Sequence, residues 1–203
     1  MAKFDLPSRV RYADRTGWGA SLGFPRLGFH VPRRTRTHVI IHHTVVVDPD
    51  ATPNLWDTEN TVFGRMVQLQ TIRPDLGLDV PYNFVIFLMD GNPASIYVCE
   101  GRGEDRSGAH TKGHNTTGIG IALEGNFELA FDIGPFVPLI SRFLGWLKYD
   151  PNGPGYGPYQ PMENLGQLAP AGRQVFGHRD FAATACPGDS VYTALAQLGF
   201  THP

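Results

Sequence analysis

Cysteine is scarce in this chain. Its two cysteines, Cys99 and Cys186, allow one bridge at most and exclude a disulfide framework. No run of about eighteen apolar residues occurs, so no segment reads as a membrane span. The amino terminus, Met-Ala-Lys-Phe-Asp-Leu-Pro, lacks the apolar stretch of a secretion signal, so export is expected to depend on another factor. An excess of one charge is missing too. Seventeen Lys and Arg against nineteen Asp and Glu leave a net charge of −2, with no basic face for nucleic acid. The one small basic run, Arg33-Arg34-Thr35-Arg36, reads as a solvated approach to a strand. Internal repeats are absent.

What remains suits one globular domain. At 203 residues the chain is long enough for a sizeable core and too short for two comfortable ones. Gly (24) and Pro (17) are plentiful, which implies many turns and long connections. Residues 1–36 show no sustained period and read as a largely irregular wrap belonging to the same domain. The β-branched run Thr37–Val46 suits a buried strand. Residues 58–70 place Val62, Phe63, Met66 and Val67 on one helical face. Tyr82–Met89 and Ser95–Cys99 read as strands joined by a hairpin turn at Asp90-Gly91.

Gly118–Gly125 reads as a central strand. Its small Gly120 and Ala122 share a face, which implies close approach by another group. Phe136, Leu139, Ile140, Phe143, Leu144 and Leu147 recur at helical spacing, the strongest periodic signal in the chain. Residues 150–171 form a Pro/Gly-rich surface excursion. A short strand, Gln174–Gly177, and a helix over about 189–198 close the chain. The fold class predicted is α/β: a single domain with a central mixed sheet flanked by helices.

Two histidine segments carry the chemistry. His42-His43-Thr44 ends the apolar strand, and His178-Arg179-Asp180 is followed by Cys186-Pro187-Gly188. Histidines at strand ends project from rigid elements into the space where open α/β sheets bind ligands. With Cys186 they make two imidazoles and one thiolate, a zinc set that leaves a fourth position open. Each residue has a plainer alternative: His42 as a satisfied strand histidine, Cys186 as a small buried hydrophobe. His178-Arg179-Asp180 superficially matches a kinase catalytic loop. That reading fails for want of the downstream Asn, a DFG triplet and a phosphate-covering Gly loop.

Taken in order, the segments resemble the type-2 N-acetylmuramoyl-L-alanine amidase family, which includes peptidoglycan-recognition proteins and amidase-type phage lysozymes. The matching pieces are Gly17-Trp18-Gly19-Ala20, Ile40-Ile41-His42-His43-Thr44, Pro81-Tyr82-Asn83-Phe84, Gly108-Ala109-His110-Thr111, Ile119-Gly120-Ile121-Ala122, Gly125-Asn126-Phe127 and Gly177-His178-Arg179-Asp180 through Cys186-Pro187-Gly188. The resemblance implies that fold and one Zn²⁺ held by His42, His178 and Cys186. It implies hydrolysis of the amide between N-acetylmuramic acid and L-alanine in bacterial peptidoglycan. Tyr82 matches the tyrosine that orients the attacking water or donates to the oxyanion, and Thr184 matches a polar partner that is Lys in phage lysozyme. His110 matches a residue at the rim of the substrate groove. His43, Asn83 and Glu124 are further candidates for substrate contact, Glu124 with a surface or strand-end charge as its plainer reading. Asp180 is expected to orient its segment.

A cytoplasmic branch of the superfamily has a Glu on the central strand, an Asp as third ligand and no tyrosine. Here Ala122, Cys186 and Tyr82 occupy those positions, so the chain resembles the Tyr/Cys branch. The setting expected is a phage endolysin or an actinobacterial wall hydrolase; the missing secretion signal favours the phage case, made in the host cytoplasm and released to the wall by another factor. It is expected to be a monomer. The competing reading is a recognition module that holds peptidoglycan without cutting it.

Overall fold

The computed structural model describes residues 3–6, 9–44, 54–149 and 162–202. Seven strands form one mixed sheet: β1 (Lys3–Leu6), β2 (Val10–Ala13), β3 (His38–His43), β4 (Phe84–Met89), β5 (Ser95–Glu100), β6 (Gly118–Leu123) and β7 (Phe176–Gly177). Their spatial order is β1-β2-β5-β4-β6-β3-β7. The β1/β2 and β4/β5 pairs are antiparallel, and β2/β5, β4/β6, β6/β3 and β3/β7 are parallel. Among the described residues, three α-helices flank the sheet: α1 (Glu59–Leu69), α2 (Val137–Tyr149) and α3 (Asp189–Ala194). No helix among the described residues is long and apolar enough to cross a membrane.

The inner strands β3, β4 and β6 are buried on both faces, which is why they read as continuous apolar runs rather than alternating ones. Alternation still sorts their side chains. Val39, Ile41, Phe84, Ile86, Ile119 and Ile121 meet Phe143, Leu144 and Leu147 of α2 on one face. Val85, Phe87 and Met89 meet Val62, Met66 and Leu69 of α1 on the other. In α1, Val67 lies off that face and is 42% exposed, and Leu69 takes the place expected for it. Thr58 caps α1, its hydroxyl accepting from the Thr61 amide at 3.3 Å.

The described part of the amino-terminal region is largely irregular, as expected, apart from two short strands and one 3₁₀ turn. Strands β1 and β2 extend the sheet at its edge, and β2 buries Val10 and Tyr12 on the α2 face. Four residues are too few to establish a period in a sequence, and β2 is held by its pairing with β5. The basic run also departs from expectation. Arg36 is fully buried, and Arg33 pairs with buried Glu104 at 2.8 Å. Of the 150–171 excursion, residues 150–161 lie outside the described residues, as do Val45 and Val46 of the first predicted strand. Met162 and Leu165 anchor the remainder in the α2-side core.

Candidate metal centre and groove

On β3, His38, Ile40 and His42 share the face opposite Val39 and Ile41. The register sets Ile40 beside Gly120 and His42 beside Ala122 of β6. β7 pairs with β3 through Phe176 and Gly177, which delivers His178 to the same end of the sheet. Asp180 orients this corner: it accepts from the Gly177 amide, the Tyr192 hydroxyl and Arg173, at 2.7–2.8 Å. Cys186 arrives on the following loop, its sulfur accepting from the His43 amide at 3.4 Å.

His42, His178 and Cys186 therefore converge, with one potential ligand atom of each within 4.8 Å of the others. His42 Nδ1 lies 3.6 Å from Cys186 Sγ, and the His42 and His178 ring centroids are 4.5 Å apart. Tetrahedral zinc with ordinary Zn–N and Zn–S bonds needs an N···S separation of about 3.6 Å, so this pair fits the ion. Burial, and then the repulsion that protonated His110, His178 or His43 would add, holds His42 well below the ordinary histidine range, and burial lowers His178. Both imidazoles are therefore neutral near pH 7, as ligands must be. Burial pushes the Cys186 thiol up to about 12, against the opposing pull of the His43 amide and Arg179.

The cluster opens into a groove of about 320 Å³, walled by Tyr82, Arg73, His110, Thr184 and Glu128 among others. The Tyr82 ring lies 5.2 Å from that of His42. Burial, with Cys186 and Glu124 adding to it, keeps its phenol protonated above its ordinary range. Thr184 is exposed on the groove and its hydroxyl accepts from the Cys186 amide at 3.2 Å. His43 also lines the groove, 3.8 Å from Glu128; burial holds it down to about 4, so it is neutral near pH 7.

Two predicted contact residues lie outside the groove wall. Asn83 is fully buried, accepts from the Gly120 amide and donates to the Gly103 and Arg106 carbonyls. Glu124 stands at the end of β6, as its plainer reading had it, but it is neither on the surface nor among the groove-lining residues. It is fully buried, pairs with Arg65 of α1 at 2.6 Å and accepts from the Thr44 hydroxyl. Arg73 and Glu128 were not anticipated. Arg73 sits in the turn-rich stretch before Tyr82 and Glu128 just beyond Asn126-Phe127, where no periodicity marks a side chain's direction.

A mixed sheet with two histidines and a cysteine gathered at one end defines a single-domain α/β protein with a candidate metal site. No family profile matches the chain. It is 30% identical over 185 residues to human N-acetylmuramoyl-L-alanine amidase, covering 89% of this chain and 27% of that protein's length. It is 30% identical over 170 residues to peptidoglycan-recognition protein SC1a of Drosophila melanogaster, covering 82% of this chain and 74% of that protein. The solved structure of Drosophila PGRP-LB, a mutant in complex with tracheal cytotoxin, superposes with a TM-score of 0.64 at 22% identity, over 94% of this chain and 96% of that one. The chain belongs to the family of N-acetylmuramoyl-L-alanine amidases and peptidoglycan-recognition proteins.

Proposed function

We propose that this protein is a zinc-dependent amidase that hydrolyses the bond between N-acetylmuramic acid and L-alanine in bacterial peptidoglycan, acting on the wall after release by another factor. The observation that carries the reading is the convergence of His42, His178 and Cys186 beside Tyr82 on one groove. Family membership supports peptidoglycan as the substrate and leaves cutting and holding both open; a complete ligand set beside a protonated tyrosine favours cutting.

Zinc held by His42, His178 and Cys186 would supply Lewis acidity and make water acidic enough to ionise near neutral pH. The thiolate is the form of cysteine that ligates zinc, so the Cys186 thiol would lose its proton on binding and supply the only negative charge among the three ligands. Tyr82 keeps its phenol proton and can donate it in a hydrogen bond to oxygen as negative charge develops on the scissile carbonyl. Thr184 offers a polar edge on the Cys186 side, and its bond to the Cys186 amide fixes that loop.

The test joins metal content to product analysis. The purified chain should hold one zinc per molecule, and digestion of peptidoglycan should release stem peptides beginning with L-alanine while the glycan strands stay uncut. New reducing sugar ends, or cuts within the stem, would show a different chemistry. Retention on peptidoglycan with no release of peptide would identify a recognition module.

A further inference from the structure

His110 lines the groove, as expected, but it is largely buried and packs against His42, at a ring-centroid distance of 5.0 Å. His42 presents Nδ1 toward Cys186, at 3.6 Å, and Nε2 toward His110 Nδ1, at 3.1 Å. A ligating imidazole nitrogen carries no proton, so the proton sits on the other nitrogen, which needs an acceptor when buried. His42 is 1% exposed, so solvent is a poor source of that acceptor. Two protein atoms are in reach: His110 Nδ1, and the Thr111 hydroxyl at 3.4 Å.

We propose that His110 is a positioning residue for the metal site, accepting the Nε2–H of His42 and so holding His42 with Nδ1 free to ligate. The inference rests on the zinc reading above. Either tautomer of His110 leaves its own Nε2 without a hydrogen-bond partner among the described residues. Its Nδ1 also lies 3.0 Å from the Thr111 hydroxyl, which can donate or accept, whereas a zinc-bound His42 can only donate from Nε2, and that selects the accepting tautomer.

The surroundings are shaped to this ring. A Cβ on Gly120 would lie 2.3 Å from His110 Cδ2, and one on Gly108 would also lie 2.3 Å from it. Both positions beside the imidazole therefore need a residue without a side chain. The Asn115 side-chain oxygen accepts from the amides of His110 and Thr111 at 2.8 and 3.0 Å, fixing where the ring starts. Arg36, fully buried, donates to the Asn115 carbonyl and to those of Glu104, Arg106, Thr116 and Gly118, closing the loop around them.

The experiment measures zinc affinity by competition with a chromophoric chelator, alongside the unfolding midpoint of each metal-free protein. His110→Ala should weaken zinc binding about 10–100-fold, the usual effect of losing a ligand's outer partner. His110→Asn places an oxygen where Nδ1 stood and should recover most of that loss. Should the Ala variant not fold, His110→Leu, matching Asn in shape without the oxygen, carries the comparison. Wild-type affinity in the Ala or Leu variant would overturn the inference. So would an Asn variant as weak as the others, since shape rather than the acceptor would then matter. A wild-type protein that binds no zinc overturns the proposed function and this inference with it, whereas zinc binding indifferent to His110 overturns the inference alone.

Discussion

At the scale of single residues, the site separates groups by what burial does to their protons. Tyr82 keeps its proton, His42 and His178 are held neutral, and the Cys186 thiol is raised. Replacing Tyr82 with Phe keeps the ring beside His42 and removes only the hydroxyl. The expected outcome is unchanged zinc content and unfolding midpoint with about 10²–10³-fold lower kcat, read by peptide release. Wild-type turnover in a zinc-loaded Phe variant would make Tyr82 a packing residue. Because its phenol is shifted up, the rate should show no alkaline loss from Tyr82 ionisation below pH 10. His43 faces the other side of β3 and meets Cys186 through its backbone amide. His43→Ala should therefore lower zinc affinity far less than His42→Ala does, in the same chelator competition.

At the scale of elements, the loop between β5 and β6 depends on one buried side chain. The Arg36 guanidinium reaches five backbone carbonyls, of Glu104, Arg106, Asn115, Thr116 and Gly118. Burial lowers its pKa to about 10, still well above neutral, so it stays charged. Arg36→Met strips those carbonyls of their donors. It should cost about 3–5 kcal/mol of stability in urea titrations, as other broken buried charge networks do. A cost below 1 kcal/mol would mean that water replaces the guanidinium there. α2 provides the contrast. Phe143 is fully buried and meets Phe84 edge-on at 5.3 Å. Phe143→Ala should cost a similar 3–5 kcal/mol through its cavity while leaving zinc stoichiometry intact.

For the whole molecule, buried histidines set the response to acid. Burial holds His38 and His43 down to about 4, and His42 and His110 well below their ordinary value. The unfolded chain protonates them near pH 6.5, so between about pH 6.5 and 4 it binds more protons than the folded one. Their stabilisation is complete above that window and is lost as pH falls through it. Glu104 and Glu124, raised by burial, act oppositely: their contribution is present at low pH and is lost as pH rises through the raised values. The histidines are more numerous, so the metal-free protein should lose stability from pH 7 to 4.5 in urea titrations. His38→Asn should flatten that slope by up to about 1.4 kcal/mol per pH unit. A profile that the substitution leaves unchanged would assign the acid response elsewhere.

The sequence alone determined what repeats or recurs locally. The apolar runs that became β3, β4 and β6, the spacing of α2 and the hairpin at Asp90-Gly91 were legible because burial imposes a period or a continuous apolar stretch. The histidine and cysteine segments were legible as motifs, and the Gly120 gap announced that something packs there. Only the tertiary structure decided what crosses that gap, because the His110 ring comes from a loop without periodicity. It alone placed Glu124 and Arg36 inside. A charge looks the same in a sequence whether it meets water or a buried partner, and Arg65 and the loop carbonyls come from distant segments. The short strands β1 and β2 were decided the same way: their few residues are strand only because a neighbour supplies the hydrogen bonds.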